Sequence, residues 1–449
     1  MTSVLLIYPY FNSPGDRSTF RFPPLGLAYL AAGLIKEHHE VKILDCTFLD
    51  KSEALDRAAD YRADIVGIYS MASMKGNSLE FARMLRNKCS LLLAGGPLPT
   101  TDPQSFINDF DIVVIGEGEH TLLDIVKAFE DHRQYGEIPG IVYRSANGLT
   151  FTVPRQMEPD LNSITFPARE LIPNDLYIAH WKKKTALATT TIMTTRGCPF
   201  NCEFCSNAVF GISYRERSAE NVVDEVEQAL SLGYGKIHFA DDVFTLRRER
   251  VHQICEEIKR RSLHFKWECL GRVDSIDLEL ARNMREAGCE RIFFGIESAD
   301  DSILRLMREK ITLERALKAL EAAGAAGIKT GAFFILCYPG ETNDTVLHTV
   351  RVATSLPLDY LSFTLPYPLR GTALYERVKG KINKEWNTKR SLLSDHSLIY
   401  DADFSENKMK FAILKGQVQF WMKKRFKKNA GLTLKPFEMV TDLAFKVMK

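Results

Sequence analysis

Along the first 150 residues, short unbroken apolar runs alternate with stretches of helical spacing. Val4–Tyr8, Val41–Leu44, Ile65–Ser70, Leu91–Ala94 and Ile112–Ile115 are short and continuously apolar, as strands buried on both faces are. Between them, Leu25–Lys36, Glu53–Tyr61, Ser78–Asn87 and His120–Phe129 place apolar residues at the spacing of one helix face. This alternation predicts a doubly wound α/β domain over residues 1–150. Ligands of such sheets bind beyond the carboxyl ends of the strands. The loops Tyr8–Pro24, Tyr69–Gly76, Gly95–Pro103 and Gly116–Glu119 lie there.

Residues 151–188 carry Pro154, Pro159, Pro167 and Pro173 and no sustained period, so they read as a linker crossing between domains. Alternation resumes over residues 189–375. Strands are expected at Thr190–Thr194, Lys236–Ala240, Lys266–Leu270, Arg291–Gly295, Thr330–Leu336 and Tyr360–Leu365. Helices are expected to start near Ala219, Arg248, Asp277, Leu313 and Asn343; in the first, Val222, Val226, Ala229, Leu230 and Gly233 share a face. Six strand–helix units with right-handed crossovers predict a partial (β/α)6 barrel of TIM type, with functional groups at the carboxyl ends of its strands.

Residues 376–449 read as a small, mostly helical and basic region. Lys408–Lys428 contains eight Lys/Arg and no acid, interleaved with Phe411, Ile413, Leu414, Phe420, Trp421 and Phe426. Two arrangements suit that composition. One is peripheral contact with an anionic membrane; the other is a helix packing its apolar face on the barrel with its cations in solvent.

The densest chemistry follows the first barrel strand, in Thr195-Arg196-Gly197-Cys198-Pro199-Phe200-Asn201-Cys202-Glu203-Phe204-Cys205. Cysteines spaced C-x-x-x-C-x-x-C among Gly197, Pro199 and Asn201 belong to a loop, whereas core cysteines would follow a strand or helix period. Thiolates select zinc or iron–sulfur clusters. A structural zinc site closes with four protein ligands, and this loop offers three. A [4Fe–4S] cube on Cys198, Cys202 and Cys205 keeps one iron open for another ligand.

The apolar share of 45% and charged share of 26% are those of an ordinary globular protein, and a net charge of +2 gives no field directed at nucleic acid. No segment approaches the roughly 20 apolar residues of a membrane span, and Met1–Tyr8 reads as a strand rather than a signal peptide. Nine cysteines with a ligand cluster fit a reducing cytoplasm, where disulfides are rare.

These features together resemble the radical S-adenosylmethionine (SAM) superfamily, specifically members with an N-terminal cobalamin-binding domain. The resemblance covers about residues 1–375. It rests on the cysteine triad with Phe204 before the third cysteine, Phe239-Ala240-Asp241-Asp242 and Gly295-Ile296-Glu297-Ser298. Tyr338-Pro339-Gly340-Glu341, and Pro366-Tyr367-Pro368 with Gly371-Thr372, complete the order, each motif at a strand's carboxyl end.

The resemblance implies a Rossmann-like cobalamin domain followed by the barrel. It implies a cluster on the three cysteines whose open iron chelates SAM, and reductive cleavage of SAM to a 5′-deoxyadenosyl radical. Phe204 would lie near adenine, Asp241 near the methionine amino group, and Arg272 against the carboxylate. Glu297 and Ser298 would reach the ribose or orient Arg272. For Asp241, Arg272 and Glu297 a structural ion-pair network at the barrel mouth is the alternative.

Many cobalamin modules carry D-x-H-x-x-G, whose His ligates cobalt; this chain lacks it, since Asp131 and His132 are adjacent in a late helix. Ser70, Gly95, Gly96 and Gly116 to Glu119, with Glu117 among them, remain as candidate cobalamin contacts, or as simple tight turns. The implied activity is methylation of an unactivated carbon in a small molecule, hydrophobic ones included, with electrons from a flavodoxin- or ferredoxin-type donor. Relatives of this layout include anaerobic porphyrin cyclases and lipid-modifying enzymes, so radical cyclisation or rearrangement is the second reading. A cobalamin-binding regulator is the non-enzymatic one. Trp267, Cys337, Tyr338 and Tyr367 are candidate pocket residues.

Overall fold

The computed structural model describes residues 2–11, 21–146, 148–384, 398–426 and 430–448. Residues 12–20 of the expected Tyr8–Pro24 loop, and Lys427 and Lys428 of the basic stretch, lie outside the described residues.

Seven strands form the first sheet: β1 (Ser3–Tyr8), β2 (Glu40–Asp45), β3 (Ile65–Tyr69), β4 (Leu91–Gly95), β5 (Ile112–Val114), β6 (Ile141–Ser145) and β7 (Gly148–Phe151). Their order is β2-β1-β3-β4-β5-β6-β7. The first five run parallel; β6 and β7 add an antiparallel hairpin that the apolar pattern does not announce. Val4, Leu6, Leu91 and Leu93 pack into one layer and Leu5, Ile7, Leu92 and Ala94 into the other, so continuous apolar strands are indeed covered on both faces. The covering helices are α1 (Leu25–Lys36), α2 (Lys51–Asp60), α3 (Lys75–Leu85), the short α4 (Pro97–Thr101) and α5 (Glu119–Glu130). In this strand order the topological switch, and with it the ligand edge, falls between β1 and β3.

The segment expected as a linker does cross to the barrel, but it is packed rather than extended. Its helix α6 (Asn174–Lys184) buries Tyr177 and Trp181 among Ala28, Ile172 and Tyr234. The Tyr177 hydroxyl donates to Asp45 at 2.7 Å and the Trp181 indole to the Arg21 carbonyl at 3.1 Å. Tertiary burial, not local period, forms this helix.

The strands of the second sheet are β8 (Thr189–Ile192), β11 (Lys236–Phe239), β12 (Lys266–Gly271), β13 (Cys289–Glu297), β14 (Lys329–Ile335) and β15 (Tyr360–Thr364). They lie in the order β15-β14-β13-β12-β11-β8, all parallel and unclosed. A two-stranded ribbon, β9 (Thr195–Arg196) and β10 (Arg215–Glu216), interrupts the first unit. The helices are α7 (Ala219–Ser231), α8 (Arg248–Arg260), α9 (Leu278–Glu286), α10 (Asp301–Leu306), α11 (Leu313–Ala325), α12 (Asn343–Ser355) and α13 (Ala373–Val378). Ser218, Asp277, Thr312 and Thr342 cap α7, α9, α11 and α12 through their side chains, each cap contributing about 1 kcal/mol. Gly233, Gly288 and Gly327, all at positive φ, stop α7, α9 and α11.

Two further helices, α14 (Glu406–Phe426) and α15 (Ala430–Val447), close the chain. Helix α14 packs on the barrel, burying Met409, Ala412, Ile413 and Gly416. Its lysines are used there. Lys415 pairs with Asp442 at 2.9 Å, Lys408 donates to the Met448 carbonyl at 2.9 Å, and Lys423 to the Leu356 carbonyl at 3.1 Å. Of the apolar residues in this stretch, Ile413 is buried while Leu414, Trp421 and Phe426 stay exposed, so the helix packs on the barrel along one side. Among the described residues no helix is long and apolar enough to cross a membrane.

Candidate active site

Ribbon β9–β10 presents the three-cysteine loop at the carboxyl end of β8, where the spacing places it. Gly197 has φ +82°, and a Cβ there would lie 2.2 Å from the Ser213 carbonyl oxygen, so only glycine lets the chain turn out of β9. Inside the loop, the Cys205 amide donates to the Cys202 carbonyl (3.2 Å) and the Asn207 side chain to the Phe200 carbonyl (3.2 Å). All three cysteines are free, from buried Cys198 through half-buried Cys202 to exposed Cys205.

Although Cys205 still reaches solvent, the surrounding loop and barrel mouth partly desolvate its thiol and push it up to about 12, reinforced by the carboxylates of Asp242, Glu297 and Glu309. Burial and Glu309 likewise raise Cys202. On their own, these groups therefore favour the protonated thiol. A cationic iron centre bound by these thiols would supply the compensating charge and release protons as it binds. Among the described residues no three His, Cys, Asp or Glu side chains converge on one ion. The loop presents three thiols, the number that a [4Fe–4S] cluster with one open iron would take from the protein.

Two carboxylates that the spacing alone does not reveal, Glu203 and Glu309, hold this loop. Glu203, between two of the cysteines, is buried; it accepts from the Tyr338 hydroxyl at 2.8 Å and pairs with Arg377 at 2.8 Å. Its amide and carbonyl bond Met307 and Leu374, so the loop is sewn to the far side of the barrel. Glu309 accepts from the Cys202 thiol at 2.9 Å and pairs with Arg272 at 3.3 Å. A charge buried between ligands is the one sequence signal that marks Glu203; Glu309 has no comparable mark.

The sequence-predicted SAM residues divide. Arg272 is at the mouth, 3.7 Å over the Phe200 ring, with Asp274 accepting two of its hydrogen bonds (3.1 and 3.2 Å). Phe204 packs half-buried on the barrel core. Glu297 stands at positive φ (+64°), where the pairing of β13 with β14 shifts register. Burial and the Glu309 carboxylate push its carboxyl up to about 8. A strained, unusually protonatable carboxyl beside the cysteines marks a functional position.

Asp241 is committed elsewhere: it accepts from the amides of Thr194 (2.5 Å) and Thr195 (3.0 Å) and from the Thr194 hydroxyl. It fixes the root of the ribbon, the structural alternative. Its exposed neighbour Asp242 is the carboxylate within electrostatic reach of Cys198 and Cys205. Ser298 is also structural, its hydroxyl accepting from the Asp300 amide and bonding Thr349. Among the pocket candidates, Trp267 is wholly buried on the outer face of β12 against Phe239 and Phe244, so it faces helices, not the lumen. Tyr338 and Cys337 are buried, Cys337 at positive φ (+63°); Tyr367 is half-buried.

In the first domain, Tyr8, Tyr69, Ser70, Gly95, Gly96 and Gly116 gather at the carboxyl edge of the sheet, with the Tyr8 and Tyr69 rings 5.4 Å apart. A Cβ on Gly96 would meet the Ser70 carbonyl at 2.7 Å, so this glycine serves the turn itself. For a Cβ on Gly95, the nearest atom among the described residues is Val114 Cβ at 3.9 Å. Asp131 and His132 lie at the other end of the sheet, just past Glu130, which bonds Thr2. The Glu117 side chain is occupied by Arg196 and Arg215. The edge faces the cysteine loop: Gly116 lies against the Val209 carbonyl and Arg370 pairs with Asp102 at 3.2 Å.

Residues 192–353 match the model of the radical SAM superfamily, and residues 15–126 match that of the B12 binding domain. An uncharacterized methyltransferase, PH0819, of Pyrococcus horikoshii is 35% identical over 79% of this chain and 78% of its own. The anaerobic magnesium-protoporphyrin IX monomethyl ester cyclase of Rubrivivax gelatinosus is 28% identical over 84% and 70%. The fold is similar to that of the radical SAM methyltransferase TsrM from Kitasatospora setae, solved with cobalamin and a [4Fe–4S] cluster. The TM-score is 0.70 at 21% identity, covering 84% of this chain and 75% of that one.

Proposed function

This chain belongs to the radical SAM superfamily, in the branch carrying a B12-binding domain, and from that membership we propose that it methylates an unactivated carbon of a small molecule. The observation that carries the proposal is the opposition of two sites. A three-thiol loop at a barrel mouth lies next to the ligand edge of a doubly wound domain, joined to it by the pairing of Glu117 with Arg196 and Arg215. The methyltransferase name of PH0819, the relative of 35% identity, supports transfer over cyclisation. The cyclase at 28% identity keeps radical ring closure as the second reading.

When bound, the cluster and SAM supply a one-electron cleavage yielding a hydrogen-abstracting radical, and cobalamin supplies a methyl carrier. The chain's own residues do the rest. Cys198, Cys202 and Cys205 would hold the iron. Glu203 and Asp241 fix the two ends of their loop. Arg272, stacked on Phe200 and steadied by Asp274, presents a guanidinium to a carboxylate at the mouth. Glu297 offers a carboxyl for ribose hydroxyls. Ser70, Gly95 and Gly116 line the cobalamin edge. A flavodoxin- or ferredoxin-type protein delivers the electron.

Anaerobic reconstitution followed by turnover with SAM and a reductant tests this. Iron and sulfide in about fourfold stoichiometry per chain, with 5′-deoxyadenosine and S-adenosylhomocysteine formed together, is the expected result. Absence of iron and sulfide, or survival of SAM cleavage in the triple cysteine-to-alanine chain, would overturn it.

A further inference from the structure

Glu117 stands where the two halves of the molecule meet. It follows Gly116 at the carboxyl end of β5, on the edge assigned above to cobalamin. Its Oε1 accepts from Arg196 (3.2 Å) and Arg215 (2.8 Å), and its Oε2 accepts from Arg215 (3.0 Å). Arg196 also bonds Glu119 at 2.5 Å, and Arg215 donates to the Glu158 carbonyl at 2.8 Å. The side chains of Glu117, Arg196 and Arg215 are 8%, 5% and 8% exposed.

The two arginines face each other across ribbon β9–β10, and Arg196 lies two residues before Cys198. Glu117 therefore has its backbone on the ligand edge and its carboxylate on the ribbon that carries the first thiol. A shift of the Gly116–Glu117 turn moves both guanidinium groups, because Glu117 holds each of them directly and the three side chains are buried together.

We propose that Glu117 is a positioning residue coupling the cobalamin edge to the three-cysteine loop, so that filling one site changes the affinity and geometry of the other. The coupling is reciprocal, as any linkage between two binding equilibria must be. It rests on the family reading above, since both ligands come from there. A second interdomain node supplies the control. Glu225 binds Arg169, Arg217 and the Tyr29 hydroxyl (3.2 Å) and ties the domains; the Tyr29 ring also lies 5.5 Å from the Arg196 guanidinium, so the control removes only the hydroxyl and keeps that ring contact.

The test titrates hydroxocobalamin into full-length protein anaerobically, following its absorbance. Wild type, Glu117→Gln and Tyr29→Phe are each compared with and without the reconstituted cluster, the clusterless form being the triple cysteine-to-alanine chain. Wild type and Tyr29→Phe should show a cobalamin Kd that changes about fivefold or more with the cluster. They should also show an electron paramagnetic resonance signal of the reduced cluster that shifts on adding cobalamin. In Glu117→Gln both sites should load while the Kd difference and the spectral shift disappear. A wild-type Kd indifferent to the cluster, or equal coupling in Glu117→Gln, overturns the proposal. So does loss of coupling in Tyr29→Phe as well, which would make it generic interdomain adhesion. Failure of every form to bind cobalamin would instead remove the reading beneath it.

Discussion

The Tyr338 hydroxyl donates a 2.8 Å hydrogen bond to the Glu203 carboxylate, joining residues 135 positions apart. One sits between two ligand cysteines, the other just past β14, so this bond spans the barrel mouth. Tyr338→Phe keeps the ring's packing and leaves a buried carboxylate with Arg377 alone, a loss of about 1–3 kcal/mol. The expected outcome is a lower thermal midpoint and fewer irons retained after reconstitution and desalting, counted by colorimetric assay. Full iron retention in Tyr338→Phe would mean that the loop does not depend on this anchor.

Gly197 makes a sharper case. Its φ of +82° and the 2.2 Å approach of the Ser213 carbonyl to a would-be Cβ leave alanine no place without moving backbone. Left-handed geometry alone costs about 1–2 kcal/mol for alanine, and the clash adds to it. Gly197→Ala should fold, as judged by far-ultraviolet circular dichroism, yet fail to hold a cluster. A variant with normal iron and a normal reduced-cluster signal would contradict the geometry.

Much of this architecture is legible in the order of the amino acids, for identifiable reasons. Strand runs from Val4 to Tyr360 stand out because parallel sheets buried on both faces need continuous apolar residues. Barrel helices announce themselves through apolar spacing, as in Val222, Val226 and Ala229 on α7. Parity within such strands is another matter. When both faces are buried, apolarity cannot say that Trp267 faces the helices while Glu268 faces inward. Helix α6 is equally hidden, because Tyr177 and Trp181 are fixed by partners far away along the chain. Asp241 and Asp242 are indistinguishable as letters; only the turn after β11 decides which anchors Thr194 and which faces the thiols.

Arg272 gives a test of the SAM assignment. Its guanidinium lies 3.7 Å over the Phe200 ring while Asp274 takes two of its hydrogen bonds, an arrangement that a lysine ammonium cannot reproduce. Arg272→Lys should keep its iron and lose SAM affinity by about tenfold, the equivalent of one charge-assisted hydrogen bond. Equilibrium dialysis with SAM against the reconstituted protein measures it. Unchanged affinity would reduce Arg272 to a structural partner of Glu309.

Glu268 sets an acid limit on the barrel. Burial alone would raise its carboxyl, but His238 (3.2 Å) and Lys236 (2.6 Å) more than reverse that and hold it at about 2. An ordinary unfolded glutamate titrates near about 4.3. The ionised group therefore favours the folded chain by about 2–3 kcal/mol above that value, and the benefit falls away as pH drops from about 4.3 towards 2. Glu268→Gln, whose amide does not titrate, should melt well below wild type at pH 7 and approach it progressively as the pH is lowered from about 4.5 to 3. Thermal midpoints of the two proteins across that range measure the effect. A gap that stays constant with pH would mean that the carboxylate's charge adds nothing, and that Glu268 contributes only its shape and hydrogen bonds.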